Sequence, residues 1–259
     1  MPIAADAIVL CGGAGLRLRS VTGDAPKSLA TIGSRPFLEI LLSQLSRHGF
    51  RRVILAAGYQ SDVIRSHFGN SAHGLLLEYS IESTPLGTGG ALRNAVQLVE
   101  SDSALIMNGD SYTDADLAEF AADFCQANVD LSMLVTPADG RVDCGLVSVD
   151  SDCRVLGFKE KQAQRGARYV NAGIYMGRLA ILCDVPAGLQ VSVEAELFPQ
   201  WLREGKRIRA FHHPGECIDI GTPERYQSAQ YTLANVEAGV TLDEPRVKAQ
   251  ENPQLMGKR

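Results

Sequence analysis

Residues 6–30 read DAIVLCGGAGLRLRSVTGDAPKSLA, a short apolar run joined to a stretch rich in glycine and cations. DAIVL has the length and apolar character of a buried strand. Gly12, Gly13 and Gly15 follow within a few positions, where neither strand nor helix gains from them. Glycines in such a loop let backbone N–H groups turn inward together and form an anion-binding concavity. The carboxyl ends of parallel strands also form the ligand crevice of an open α/β sheet. Arg17, Arg19 and Lys27 place positive charge just beyond. Two common phosphate loops do not fit: G-x-G-x-x-G needs glycine where Leu18 stands, and G-x-x-x-x-G-K-[ST] fails because Lys27 follows Pro26, far from the glycines. A phosphate cradle of another type is implied.

Outward from this stretch, strand and helix patterns alternate. The apolar periodicity predicts a helix over 35–49 stopped by Gly49, a strand over 51–58, and a helix over 61–69 opened by Ser61 as cap. A strand over 75–82, a helix over 88–100, a strand over 103–110 and a helix over 114–128 follow, the last capped by Asp114. This alternation predicts a Rossmann-like, three-layer α/β/α fold with a mostly parallel central sheet. From about 130 to 178 the pattern turns to strands with short connections, read as a small antiparallel insertion. A helix over 191–205, two strands, and a final helix over 222–239 complete the chain, with Thr222 as cap and Pro223 at the first helical position. The reading is one domain over 1–238 followed by a polar tail, 239–259.

Composition narrows the function. The 259 residues are 45% hydrophobic and carry a net charge of −5, which disfavours nucleic acid and anionic membrane as partners. No run approaches the ~20 apolar residues of a membrane span, and the N-terminus lacks the pattern of a secretory signal. The 6 cysteines are scattered without a C-x-x-C pair, as expected of thiols in a reducing compartment, and the expected location is the cytoplasm.

Six blocks in order carry a resemblance: LCGGAGLRLRSVTGDAPKSLA, PLGTGGAL (85–92), NGD (108–110), FKEK (158–161), NAGIY (171–175) and IDIGTPERY (218–226). Together they resemble the sugar-1-phosphate nucleotidyltransferases over nearly the whole chain. The resemblance implies that Leu10, Gly12, Gly13, Gly15, Asn108 and Gly109 wrap a nucleoside triphosphate. Pro85, Gly87 and Thr88 would seat its base. It implies that Arg17 holds the departing phosphates and that Lys27 neutralises charge at the α-phosphate. Gly145, Glu160, Lys161 and Asn171 would meet the sugar phosphate, with Lys161 on its phosphate. Asp110 and Asp219, each at a strand end, match positions that hold Mg²⁺. Gln162 replaces the usual proline after the E-K pair.

Pyrimidine-specific relatives tend to carry glutamine where Glu82 stands. A carboxylate has acceptors and no donor, so it suits the N1–H and N2–H₂ of guanine and points to GTP. RLRSV at 17–21 is similar to the heptose-1-phosphate guanylyltransferase branch, which serves capsule or surface-polysaccharide synthesis. The expected reaction is therefore GMP transfer from GTP to a heptose 1-phosphate, in a protein that forms a homodimer. Mannose-1-phosphate guanylyltransferases and glucose-1-phosphate thymidylyl- or uridylyltransferases are the alternatives. Two readings from other classes are a metal-dependent glycosyltransferase, with Asp114 and Asp116 as its D-x-D, and a sugar-nucleotide-binding module without activity.

Overall fold

The first strand, β1 (Asp6–Leu10), lies inside the sheet, between two parallel neighbours. The computed structural model describes residues 3–138, 144–159, 168–215 and 217–237. After the glycine loop come a 3₁₀ turn, a single helical turn α1 (Arg19–Thr22), a second 3₁₀ turn (Lys27–Leu29) and the small hairpin of β2 (Thr31–Ile32) and β3 (Arg35–Pro36). Helix α2 (Phe37–Arg47), β4 (Arg52–Ala57), α3 (Ser61–Phe68), β5 (Ser71–Ala72) and β6 (Leu75–Ile81) follow. Then come α4 (Gly87–Ala95), β7 (Ser103–Asn108), β8 (Ser111–Thr113) and α5 (Leu117–Gln126). The second half contains β9 (Leu131–Pro137), β10 (Leu146–Val149), β11 (Val155–Lys159), β12 (Tyr169–Arg178) and α6 (Leu179–Cys183). It closes with α7 (Phe198–Arg203), β13 (Ile208–His212), β14 (Cys217–Asp219) and α8 (Pro223–Glu237).

The main sheet runs β11-β10-β12-β7-β1-β4-β6-β5. β1 pairs in parallel with β4 (Val9 opposite Leu55) and with β7 (Val9 opposite Met107). β12 runs antiparallel to β7, to β10 and to β9, and its register shifts between Asn171 and Tyr175. Successive side chains of a strand face opposite sides, so β1 feeds two cores. Ala7 and Val9 pack with Phe37, Leu41, Phe120 and Phe124 on one face. Ile8 packs with Leu92, Ile181, Phe198 and Trp201 on the other. The outcome is the expected three-layer α/β/α fold, and the loops after β1, β4, β6 and β7 open at one edge of the sheet.

Several boundaries differ from the sequence reading for physical reasons. α2 begins at Phe37 because Arg35–Pro36 pairs with Thr31–Ile32. Gln60, not Ser61, takes the N-cap position of α3, with a left-handed φ of 51° and no side-chain cap bond. The cap of α5 is Asp116, whose Oδ1 accepts from Ala118 N at 2.8 Å and Glu119 N at 3.1 Å. Asp114 instead pairs with His213 at 2.7 Å. The helix expected over 191–205 is split into a π turn (Val193–Leu197) and α7. Pro199 has no N–H for an ordinary helical bond, and it is tolerated only in the first turn of a new helix. Thr222 caps α8 as read: its Oγ1 accepts from Arg225 N at 3.4 Å. The expected tail, 239–259, lies outside the described residues.

Candidate functional site

The glycine loop curls over the end of β1 toward Lys27. Gly15 has φ +58°, and a Cβ there would come within 2.7 Å of Lys27 Cβ. This close approach carries the cations inward. A side chain at Gly221 would meet Arg17 Nη2 at 3.7 Å and Lys27 Nζ at 3.8 Å, so both cation ends converge on one spot. Lys27 forms an ion pair with Asp110 Oδ2, and its side chain is 13% exposed against 38% for Asp110. Asp110 and Asp219 are neighbours because β14 pairs with β8, Asp219 opposite Ser111, and Ile220 N donates to the Asp110 carbonyl at 3.0 Å. Asp219 also accepts from Gly221 N at 2.8 Å and from Arg225 Nη1 at 2.7 Å.

Gly15, Arg17, Lys27, Asn108, Gly109 and Asp110 stand in the wall of a cleft of about 530 Å³, the cationic lobe. A second lobe of about 490 Å³ is lined by Gly12, Gly58, Tyr59, Glu82, Pro85 and Gly87. Leu10, Gly13, Ala14 and Thr88 line both, so the two are halves of one groove. In the second lobe Glu82 Oε2 accepts from Leu86 N at 3.2 Å. Its Oε1 lies so close to the chain that a Cβ on Gly58 would come within 2.7 Å of it. Burial pushes the Glu82 carboxyl above its usual range, and the Leu86 N–H offsets part of that rise. A half-buried carboxylate with one backbone donor retains acceptor capacity for a ligand's N–H groups.

Of the sequence-predicted residues, Leu10, Gly12, Gly13, Gly15, Arg17, Lys27, Glu82, Pro85, Gly87, Thr88, Asn108, Gly109 and Asp110 therefore face the groove. Asp219 adjoins it through Gly221. Gly145 and Asn171 line neither lobe and are joined to each other by a bond from Asn171 N to the Gly145 carbonyl at 2.8 Å. The Asn171 side chain donates to Tyr175 Oη at 2.7 Å and accepts from Gly173 N at 2.9 Å. Glu160 and Lys161 lie outside the described residues. Asp114 and Asp116 are engaged with His213 and with the α5 cap respectively. The His213 hydrogen bond is the first cause holding the Asp114 carboxyl below its usual range.

Four further residues matter here, to none of which the sequence reading gave a role. Ser28 is 4% exposed, lines the cationic lobe, and its Oγ has no hydrogen-bond partner. Tyr59 anchors the loop after α1, accepting from Arg19 Nη2 at 3.1 Å and donating to the Asp24 carbonyl at 3.3 Å. Arg225 holds Asp219. Glu194, in the π turn, reaches Thr88 and Asn108. No helix among the described residues is long and apolar enough to cross a membrane.

A mixed sheet whose parallel strands open onto a glycine-walled groove, with paired carboxylates and converging cations, has the architecture of a nucleotidyl transferase. The Nucleotidyl transferase family pattern matches residues 6–236, and the chain belongs to that family. Among its relatives, the chain is 35% identical over 228 residues to the D-glycero-alpha-D-manno-heptose 1-phosphate guanylyltransferase of Aneurinibacillus thermoaerophilus, covering 88% of this chain and 98% of that protein. It is 39% identical over 225 residues to the mannose-1-phosphate guanylyltransferase of Mycobacterium tuberculosis, covering 85% of this chain and 62% of the length of that protein. Among solved structures, HddC from Yersinia pseudotuberculosis superposes with a TM-score of 0.78 at 32% identity, covering 88% of this chain and 99% of that one. HddC has also been solved in complex with GMP-PN.

Proposed function

We propose that this protein transfers GMP from GTP to D-glycero-α-D-manno-heptose 1-phosphate, releasing pyrophosphate. The observation that carries the reading is the division of one groove into a lobe lined by a half-buried carboxylate, Glu82, and a lobe of converging cations, Arg17 and Lys27. Guanine offers adjacent N–H donors to the first, and a triphosphate suits the second. The 35% identity to a heptose 1-phosphate guanylyltransferase and the RLRSV segment support the heptose acceptor. The 39% identity to a mannose-1-phosphate guanylyltransferase supports mannose 1-phosphate as the second reading.

The reaction is an in-line displacement. An oxygen of the sugar phosphate attacks the α-phosphorus, the bond from that phosphorus to the bridging β-oxygen breaks, and pyrophosphate leaves with its electron pair. The attacking phosphate is already ionised, so no protein base is needed. Positioning and charge neutralisation do the work, as in other phosphoryl transfers. Arg17 receives the departing phosphates. Lys27, released from Asp110, moves onto the α-phosphate and the incoming phosphate.

Asp110, in the turn before β8, and Asp219, at the end of β14, are hard oxygen donors, and this set fits Mg²⁺, which typically takes one or two carboxylates and completes its shell with phosphate oxygens and water. When bound there, Mg²⁺ neutralises triphosphate charge. Arg225 and the Gly221 N–H fix the Asp219 carboxylate, and Ser111 Oγ donates to Asp110 Oδ1 at 3.2 Å. GTP and sugar phosphates are cytoplasmic pools, and the reading places the enzyme there. A matrix of the four triphosphates against heptose, mannose and glucose 1-phosphates, followed by pyrophosphate release, tests it. GTP with heptose 1-phosphate is expected to turn over fastest; preference for UTP or dTTP would sink the guanylyl assignment.

A further inference from the structure

Glu194 belongs to none of the sequence motifs, yet three groups converge on it. Its Oε2 accepts from Thr88 Oγ1 at 2.9 Å and from Ser192 Oγ at 3.4 Å, and its Oε1 accepts from Asn108 Nδ2 at 3.3 Å. Thr88 Oγ1 in turn accepts from Val193 N at 2.8 Å, which fixes the hydroxyl with its hydrogen toward the carboxylate. π turns are rare and often occur at functional sites. This one delivers a carboxylate to two residues of the groove wall.

A carboxylate has no donor to offer. Asn108 must therefore turn its NH₂ to Glu194, and its Oδ1 faces the other way. That Oδ1 is buried and has no hydrogen-bond partner, while Asn108 lines the cationic lobe. A buried acceptor left without a donor is costly, and where its residue lines a ligand groove a bound hydroxyl can supply the missing donor. Gly173 keeps the flank open, since a Cβ there would come within 2.7 Å of Asn108 Nδ2.

We infer that Glu194 is a positioning residue that locks the Asn108 amide so that Oδ1 accepts a hydrogen bond from a hydroxyl of the bound substrates. The ribose of the nucleotide and the acceptor sugar both carry such hydroxyls. Ionised phosphate oxygens do not donate and are excluded. Through Thr88, which lines both lobes, the same carboxylate ties this acceptor to the second lobe. The inference rests on the guanylyltransferase reading above.

Glu194→Gln keeps the shape and converts one acceptor into a donor. The Gln oxygen stays with the two hydroxyl donors, Thr88 and Ser192, so its NH₂ faces Asn108. The Asn108 amide must then turn over and offer NH₂ where the substrate hydroxyl needs an acceptor. The expected result is a roughly ten- to hundredfold rise in the KM of one substrate, with kcat and melting temperature close to wild type. The double variant Glu194→Gln/Asn108→Asp restores a donor-to-acceptor contact and again leaves an oxygen toward the substrate, so most of the KM loss should be recovered.

Steady-state kinetics with GTP, 2′-deoxy-GTP and 3′-deoxy-GTP, each with a titration of the sugar phosphate, locate the hydroxyl. A ribose partner makes the KM effect vanish on one deoxy analogue; a sugar partner puts the effect on the acceptor KM alone. Unchanged KM values for both substrates in Glu194→Gln overturn the inference, as does a double variant that recovers nothing. A wild-type enzyme that releases no pyrophosphate in the same assay counts against the guanylyltransferase reading itself.

Discussion

The two lobes of the groove share a wall at Leu10, Gly13, Ala14 and Thr88 but use opposite physics. The cationic lobe is lined by charge: Lys27 is paired with Asp110, and Arg17 converges on the same point near Gly221. The second lobe is shaped by backbone: glycines let the chain close around one carboxylate, Glu82, which burial pushes toward protonation. Charge that acts on a developing transition state shows in kcat, whereas hydrogen bonds made equally before and during reaction show in KM. One lobe should therefore govern rate and the other choice of base.

The largest expected effect is at Lys27. Lys27→Ala should lower kcat by about a thousandfold, the scale of losing a transition-state charge partner, with the KM for GTP changed only a few-fold. A KM that rises as much as kcat falls would break the division between the lobes. Next, Asp110→Asn should cost on the order of a hundredfold in kcat/KM and raise the Mg²⁺ concentration needed for half-maximal rate. Asp114→Asn, which touches only the His213 pair, should leave both unchanged. If the order were reversed, the glycosyltransferase-like reading of the D-x-D would return.

Glu82→Gln should raise the KM for GTP about tenfold, the cost of turning an acceptor into a donor against guanine, and leave kcat near wild type. The wild-type KM for GTP should also depend on pH with a definite sign. The Glu82 carboxyl is raised above its ordinary value. As pH falls it therefore takes up a proton earlier than an ordinary glutamate, loses acceptor capacity, and the KM rises. The Gln variant should lack that acid limb. The smallest effect belongs outside both lobes: Asp116→Ala should lower stability by about 1 kcal/mol through loss of the α5 cap, read as a lower melting temperature with unchanged kinetics.

What was legible in the sequence follows from the range of the interactions involved. β1 was read to its residue limits, and Thr222 with Pro223 marked the start of α8, because strand periodicity and caps are written within a few positions. Asp114 and Asp116 were confused because both are polar residues just before a helix. Only the fold brings His213 to Asp114 and leaves Asp116 to cap. Gln60 was missed because Ser61, a residue type that favours cap positions, stands next to it, while Gln60 takes the position without a side-chain cap bond. The glycine loop, Lys27 and Asp110 were legible as motif blocks. Glu194 was not, since its partners Thr88 and Asn108 lie 106 and 86 positions away and meet it only in the folded chain. The same holds for Arg225, which holds Asp219 inside one block of sequence through a contact that block cannot display.

The fate of the α-phosphorus distinguishes guanylyl transfer from hydrolysis. Wild-type enzyme is supplied with GTP labelled at the α-phosphate, heptose 1-phosphate and Mg²⁺, and the products are separated. Label is expected in a GDP-sugar, with an equal amount of unlabelled pyrophosphate, both strongly reduced with Lys27→Ala. Label appearing as free GMP or GDP, or remaining in GTP while the wild-type protein is folded, would contradict guanylyl transfer.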